Sequence, residues 1–173
     1  MTVSTQPYPP NRASRSLSLL AALGCMALAA CVPMEGEALL KERTMFDSSS
    51  MDHFEFLEGL WIGKGPDGKP FYEGYRRADP TTLVSERYED STFAKVVDGS
   101  TVTLENGAIV SRWGDYSWRA DEIRAGYASF APLDAPSAFT WRRIDADTVE
   151  VTQRWTDEAG AEQEYALELK RTK

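Results

Sequence analysis

Cysteine disappears from this chain after residue 31: the two it has, Cys25 and Cys31, both lie near the N-terminus. A disulfide framework is therefore excluded from the remainder, and whatever folds there must be held by its own core. Histidine is almost as scarce. A single imidazole, His53, offers no zinc-ligand spacing and no general base beside a serine within the patterned region, so metal hydrolysis and serine triads lose their usual machinery. Basic residues are in deficit, 19 against 27 acidic, for a net charge of −8. That balance speaks against nucleic acid, whose phosphates require a clustered basic surface, and against adhesion by charge to anionic lipid. Glycine-rich phosphate loops are missing too, because Gly63-Lys64-Gly65-Pro66-Asp67-Gly68 reads as a turn. Enzymatic activity is not expected.

The one long uncharged run, Leu17 to Ala30, follows Arg12 and Arg15. It is too short for a bilayer core, which needs roughly 20 apolar residues, and has the layout of a secretory signal. Its end, Leu28-Ala29-Ala30-Cys31, resembles the lipobox of bacterial lipoprotein precursors. The resemblance implies removal of residues 1–30, a signal peptide, and acylation of Cys31, giving a membrane partner through an N-terminal lipid anchor. An ordinary signal cleaved near the same place would leave Cys31 as a free thiol, and Ala22-Leu23-Gly24-Cys25 fits the pattern less well. Val32 stands where inner-membrane lipoproteins often carry Asp, so the resemblance points to the outer membrane, facing the periplasm. Loss of Arg12 and Arg15 would leave the mature chain at −10.

Residues 31–53 read as a polar tether containing Ser48-Ser49-Ser50, with His53 as a solvated linker residue, and residues 54–173 as one domain. In that domain the apolar period is two. Val149, Val151 and Trp155 alternate with Glu150, Thr152 and Arg154, and Tyr165, Leu167 and Leu169 alternate with Glu164, Glu168 and Lys170. Each is the pattern of a half-buried strand. Pairing Val149 with Leu169 and Val151 with Leu167, around a turn at Asp157-Glu158-Ala159-Gly160, puts the apolar residues on one side. Earlier strands are expected at 57–65, 71–77, 83–89, 92–97, 101–105, 108–113, 116–120, 123–130 and 138–144. Breaks fall at Asp79-Pro80, Asp98-Gly99, Asn106-Gly107 and Asp145-Ala146-Asp147. The expected fold is all-β, an antiparallel up-and-down barrel of about ten strands, since closure removes the exposed edges of such a meander.

Phe56-Leu57-Glu58-Gly59-Leu60-Trp61-Ile62-Gly63 resembles the Leu-x-Gly-x-Trp-x-Gly opening of calycin-type barrels, the group of lipocalins, fatty-acid-binding proteins and nitrobindin-like domains. The stretch from Phe139-Thr140-Trp141 through Val149-Glu150-Val151 to Leu167, Leu169 and Arg171 is similar to bacterial lipocalin-like domains. The likeness implies that Gly59, Trp61 and Gly63 close the barrel, with Arg171 or Lys170 stacked over the indole. It also implies an apolar small ligand or haem. Nitrobindin-like proteins hold iron through a late-strand histidine, and His53 precedes the first strand, so no haem and no other cofactor is expected.

Polar residues on apolar faces mark a candidate binding site. Glu73 lies between Phe71 and Tyr75, and a hairpin turning near Pro80 sets it opposite Arg87, with Tyr75 opposite Ser85. An exposed cross-strand ion pair is the competing reading. Trp113, Trp141 and Gln153 complete the candidate ligand set. No metal site is expected, although Asp115, Asp121 and Asp145 offer oxygen ligands of the kind calcium takes. Two functions stay open: a hollow barrel binding a small apolar or amphipathic molecule, which needs a cavity of about 300 Å³ or more, or a filled barrel acting on an envelope protein partner.

Overall fold

The computed structural model describes residues 44–173; the signal segment, Cys31 and Val32 lie outside the described residues. Ten antiparallel strands follow one another around a closed ring: β1 (Gly59–Lys64), β2 (Pro70–Asp79), β3 (Thr82–Tyr88), β4 (Val96–Glu105), β5 (Ala108–Trp113), β6 (Tyr116–Arg124), β7 (Tyr127–Pro132), β8 (Ala138–Arg143), β9 (Thr148–Thr156) and β10 (Glu162–Arg171). Each pairs with its sequence neighbours, and β1 closes on β10 through Trp61 opposite Arg171 and Gly63 opposite Leu169. The barrel expected from the period-two pattern is the fold observed.

Alternation decides the two surfaces of the wall. Trp61, Leu83, Val102, Ile109, Phe130, Val149 and Leu169 point inward and are almost fully buried. Outward positions carry cross-strand ion pairs, including Arg142 with Glu150 at 2.7 Å and Arg154 with Glu164 at 2.6 Å. Such wet pairs contribute at most about 1 kcal/mol each and chiefly keep the wall soluble.

The packed region begins before Phe54. Asp47 caps a one-turn helix α1 (Ser48–Asp52), accepting from the Ser50 amide at 3.1 Å while the Ser50 hydroxyl accepts from the Asp47 amide at 3.2 Å. A capping box satisfies two otherwise orphaned donors, which is why so short a helix holds. Met51, Phe54 and Leu57, one per turn, are fully buried, and Glu55–Leu57 forms a 3-10 turn leading into β1. This segment closes the barrel end shared by the β2–β3, β4–β5, β6–β7 and β8–β9 connections: the Phe46 amide donates to Gly107 at 2.9 Å, and Arg77 donates to the Met51 carbonyl. The opposite end, bordered by the β1–β2, β3–β4, β5–β6, β7–β8 and β9–β10 connections, is the end where the site lies.

Three strand boundaries differ from the sequence reading. Asp98-Gly99 is not a turn but part of the continuous ten-residue strand β4. Its glycine serves close approach, since a Cβ there would stand 2.8 Å from the Ser85 carbonyl oxygen. The reversal comes earlier, where Asp90 accepts from the Thr92 amide at 2.8 Å and Phe93 turns back at φ 53°; Phe93 is thus a loop residue, packed edge-on against Tyr72 and Tyr88. Asp121 does not end a strand either. It is the extra residue of a bulge in β6, whose register shifts between Ala120 and Glu122, and the turn falls at Gly126, φ 72°. No helix among the described residues is long and apolar enough to cross a membrane.

Candidate functional site

Barrel closure is built around one indole. Trp61 on β1 is fully buried, and its Nε1–H donates to the Leu57 carbonyl at 2.6 Å. Arg171 on β10 places Cζ 4.2 Å from the ring centroid, within cation–π range. Its guanidinium also donates to the Phe56 carbonyl at 3.0 Å and to the Glu58 carbonyl, locking the plug segment to the last strand. Lys170 points elsewhere, donating to the Thr148 hydroxyl at 3.0 Å. Gly59 and Gly63 leave the room this requires. A Cβ at Gly59 would lie 2.6 Å from the Arg171 guanidinium, and one at Gly63 would meet the Phe71 ring and stand 2.9 Å from Leu169.

The six candidate ligand residues, Glu73, Tyr75, Arg87, Trp113, Trp141 and Gln153, all line one pocket inside the half of the barrel away from α1. Glu73 sits opposite Arg87 and Tyr75 opposite Ser85 in the β2–β3 ladder. This pair is internal: Glu73 is 8% exposed, Arg87 donates to its carboxylate, and the Tyr75 hydroxyl donates to the other oxygen at 2.8 Å. Arg87 also lies over Phe71, 4.4 Å from the ring centroid. Trp113 donates from Nε1 to Asp98 at 2.9 Å, and Asp98 stands opposite Arg87 on β4.

Beyond the six, Ser85 lines the pocket where the strand pairing set it, opposite Tyr75, and Ser100, Ser111, Trp118 and Phe139 join it from outside the candidate set. Ser85 stands opposite Tyr75 and Ser111 opposite Trp118, while Ser100 stands opposite Ser85, and such hydroxyls resemble exposed polar residues when strands are read singly. Together the lining is graded by chemistry. Strands β2 to β5 contribute all the charged, phenol and hydroxyl groups, alongside Phe71 and Trp113, while β6 to β10 contribute Trp118, Phe139, Trp141, Val151 and Leu167, relieved only by Gln153. The apolar wall is itself well packed, with Phe130 stacked on Phe139 at 4.7 Å and Trp141 edge-on to Tyr75 at 5.9 Å.

The cavity measures about 50 Å³. That is room for a few waters and well short of the roughly 300 Å³ that a drug-sized ligand occupies. An acyl chain or a haem does not fit inside as the side chains stand. His53 is exposed and ends α1, at the plugged end, away from these residues. Asp115 and Asp145 lie in turns at opposite ends of the barrel and so share no ion. Among the described residues no three His, Cys, Asp or Glu side chains gather as a metal site.

Burial, and then the neighbouring Glu73 charge, raises the Tyr75 hydroxyl pKa well above its ordinary 10. A raised folded-state value means that the folded protein holds this proton more tightly than the unfolded chain. The corresponding stability is complete below about pH 10 and is lost as pH rises above it. Urea titrations at increasing pH should therefore show stability falling above about pH 10, and a Tyr75→Phe variant should fall less steeply. Equal slopes would show that Tyr75 ionises as freely as in the unfolded chain.

No protein-family model and no curated protein matches the chain. Among solved structures it is similar to a redesigned β-barrel, at 12% identity over 68% of this chain and 93% of the other, with a TM-score of 0.33.

Proposed function

We propose that this is a lipoprotein, held through Cys31 at the outer membrane and facing the periplasm, whose calycin-like barrel binds a small amphipathic molecule without enzymatic chemistry. The observation that carries the binding reading is the graded pocket, a stripe of polar groups on β2–β5 facing a largely apolar wall on β6, β8, β9 and β10 at one end of a closed barrel. A buried, hydrogen-bonded carboxylate–guanidinium pair is costly to place in a core and is what orienting a polar head group calls for. The cavity of about 50 Å³ falls short of the roughly 300 Å³ expected of a hollow barrel, so the reading narrows to a head group with a short apolar stem, not a fatty acid. The anchor rests on Leu28-Ala29-Ala30-Cys31.

A second reading has its own observation. Leu60, Ile62 and Val96 are 37%, 36% and 49% exposed on the outer wall beside the Tyr72–Phe93–Tyr88 cluster. A barrel filled by its own side chains could present this face to an envelope protein.

Both parts are tested on the full chain expressed in a bacterial envelope. Labelled palmitate should enter the wild type and not Cys31→Ser; label persisting in the variant overturns the anchor. Native mass spectrometry should then show a reproducible added mass, lost on solvent extraction. A clean mass that persists after incubation with cell-envelope extract overturns binding in favour of the filled barrel.

A further inference from the structure

The charge around the pocket is one-sided. Inside, Glu73 is matched by Arg87, which is also held over Phe71. Asp98, exposed at the start of β4, adds a carboxylate whose oxygens accept from the Gly99 amide and the Trp113 indole, both at 2.8–2.9 Å. Glu73 and Arg87 thus cancel within the lining, and Asp98, exposed beside Trp113, adds one negative charge at the mouth.

The five connections bordering that end continue the trend. The β1–β2 connection holds Asp67 beside Lys64 and Lys69, and the β3–β4 connection holds Glu89 and Asp90 beside Lys95. Two of those lysines are already matched, Lys69 to Asp67 at 3.1 Å and Lys95 to Glu89 at 2.9 Å. The remaining three connections carry only acids: Asp115, then Asp134, then Asp157 and Glu158, with Glu162 opening β10. Acids outnumber lysines around this rim, and a cleft with walls of low dielectric and a rim of net negative charge concentrates cations at its mouth. Behind that rim stand Trp113 and Tyr116, stacked at 5.9 Å, and Trp118 and Phe139, edge to face at 5.4 Å. Aromatic faces near carboxylates are a favourable setting for an organic cation and an unfavourable one for an anion.

We propose that the pocket takes an organic ammonium, its short alkyl stem against the aromatic wall of β6–β8 and its charge at Asp98 and the acidic rim. This rests on the binding reading and names its ligand class. The cavity of about 50 Å³ matches such a narrow group and not a bulky ring system.

Three probes of equal length separate charge from shape: n-butylammonium, n-butanol and n-butyrate, titrated into the full chain while tryptophan fluorescence is followed. Butylammonium should bind saturably and about tenfold more tightly than butanol, as expected for one close opposite charge, and butyrate should not saturate. Asp98→Asn should remove most of that tenfold advantage, and so should about 0.5 M salt. Ser111→Leu, which fills the void, should abolish saturation by butylammonium and by butanol. If butanol or butyrate binds as well as butylammonium, the cation assignment is wrong while the binding reading stands. If butylammonium binds Ser111→Leu unchanged, the charge is read at the rim alone and the pocket assignment falls. If no probe saturates, the cation assignment falls, and the added mass in native mass spectrometry decides the binding reading by itself.

Discussion

Trp61→Ala should lower folding stability by about 3–5 kcal/mol, read as a drop in the urea midpoint at unchanged slope. The size follows from what the ring does at the seam where β1 meets β10. It is fully buried, so truncation removes its apolar surface and leaves a void. Collapse into that void is restricted, because the flanking glycine positions are already occupied by the Phe71 ring, Leu169 and the Arg171 guanidinium. Two further losses accompany the void. The Leu57 carbonyl loses its indole donor at 2.6 Å, and Arg171 loses the surface on which it is stacked at 4.2 Å. Arg171 also ties the plug segment to β10 through the Phe56 and Glu58 carbonyls, so loosening it should fray the end closed by Met51 and Phe54. Trp61→Phe separates these terms: with a ring retained and the indole donor gone, the loss should be about 1–2 kcal/mol. A loss under about 1 kcal/mol for Trp61→Ala would remove the ring from the core.

The parts of this architecture that were legible in the sequence are those in which one residue type had one physical use. Val149 opposite Leu169 and Val151 opposite Leu167 is the register that alternation alone requires, and it is the register found. Glu73 opposite Arg87 follows from counting back from the Asp79-Pro80 turn. Where a residue type has two uses, reading it singly failed. Asp-Gly at 98–99 has the composition of a turn, yet glycine there answers a close approach of the Ser85 carbonyl across a continuous strand. Ser48-Ser49-Ser50 has the composition of a linker, yet behind Asp47 it makes a capping box, and the spacing of Met51, Phe54 and Leu57 was the available sign of a buried turn. The polar stripe was half visible. Glu73 and Arg87 stood out as charges on apolar faces, with Ser85 set opposite Tyr75, whereas Ser100 and Ser111 joined that surface only when β3, β4 and β5 were brought side by side. The depth of the pocket was not legible, because volume depends on how Trp118, Phe139 and Trp141 interdigitate across the barrel.

Glu73→Ala should destabilise the fold by about 3–5 kcal/mol, the range for leaving one member of a buried ion pair without the other. Arg87 and Glu73 are both largely shielded, at 14% and 10% side-chain exposure, so solvent recovers little of the lost interaction. The Tyr75 hydroxyl, which donates to the same carboxylate at 2.8 Å, loses its acceptor as well. The double variant Glu73→Leu, Arg87→Met should behave in the opposite way. With both charges replaced by apolar groups of similar bulk, the desolvation cost of the ions disappears, only the Tyr75 hydroxyl still lacks its acceptor, and stability should return to near the wild-type value or exceed it, by up to about 4 kcal/mol. Such a result would mean that stability does not account for the pair and that its use lies in what enters the pocket. The double variant should then fold and bind butylammonium more weakly, since the charged part of the polar stripe on β2 and β3 would be gone while Tyr75, Ser85 and the Asp98 rim remained. A double variant as unstable as Glu73→Ala would reverse the argument. It would place Glu73 and Arg87 among the groups that hold the barrel together and leave the acidic rim alone to carry recognition.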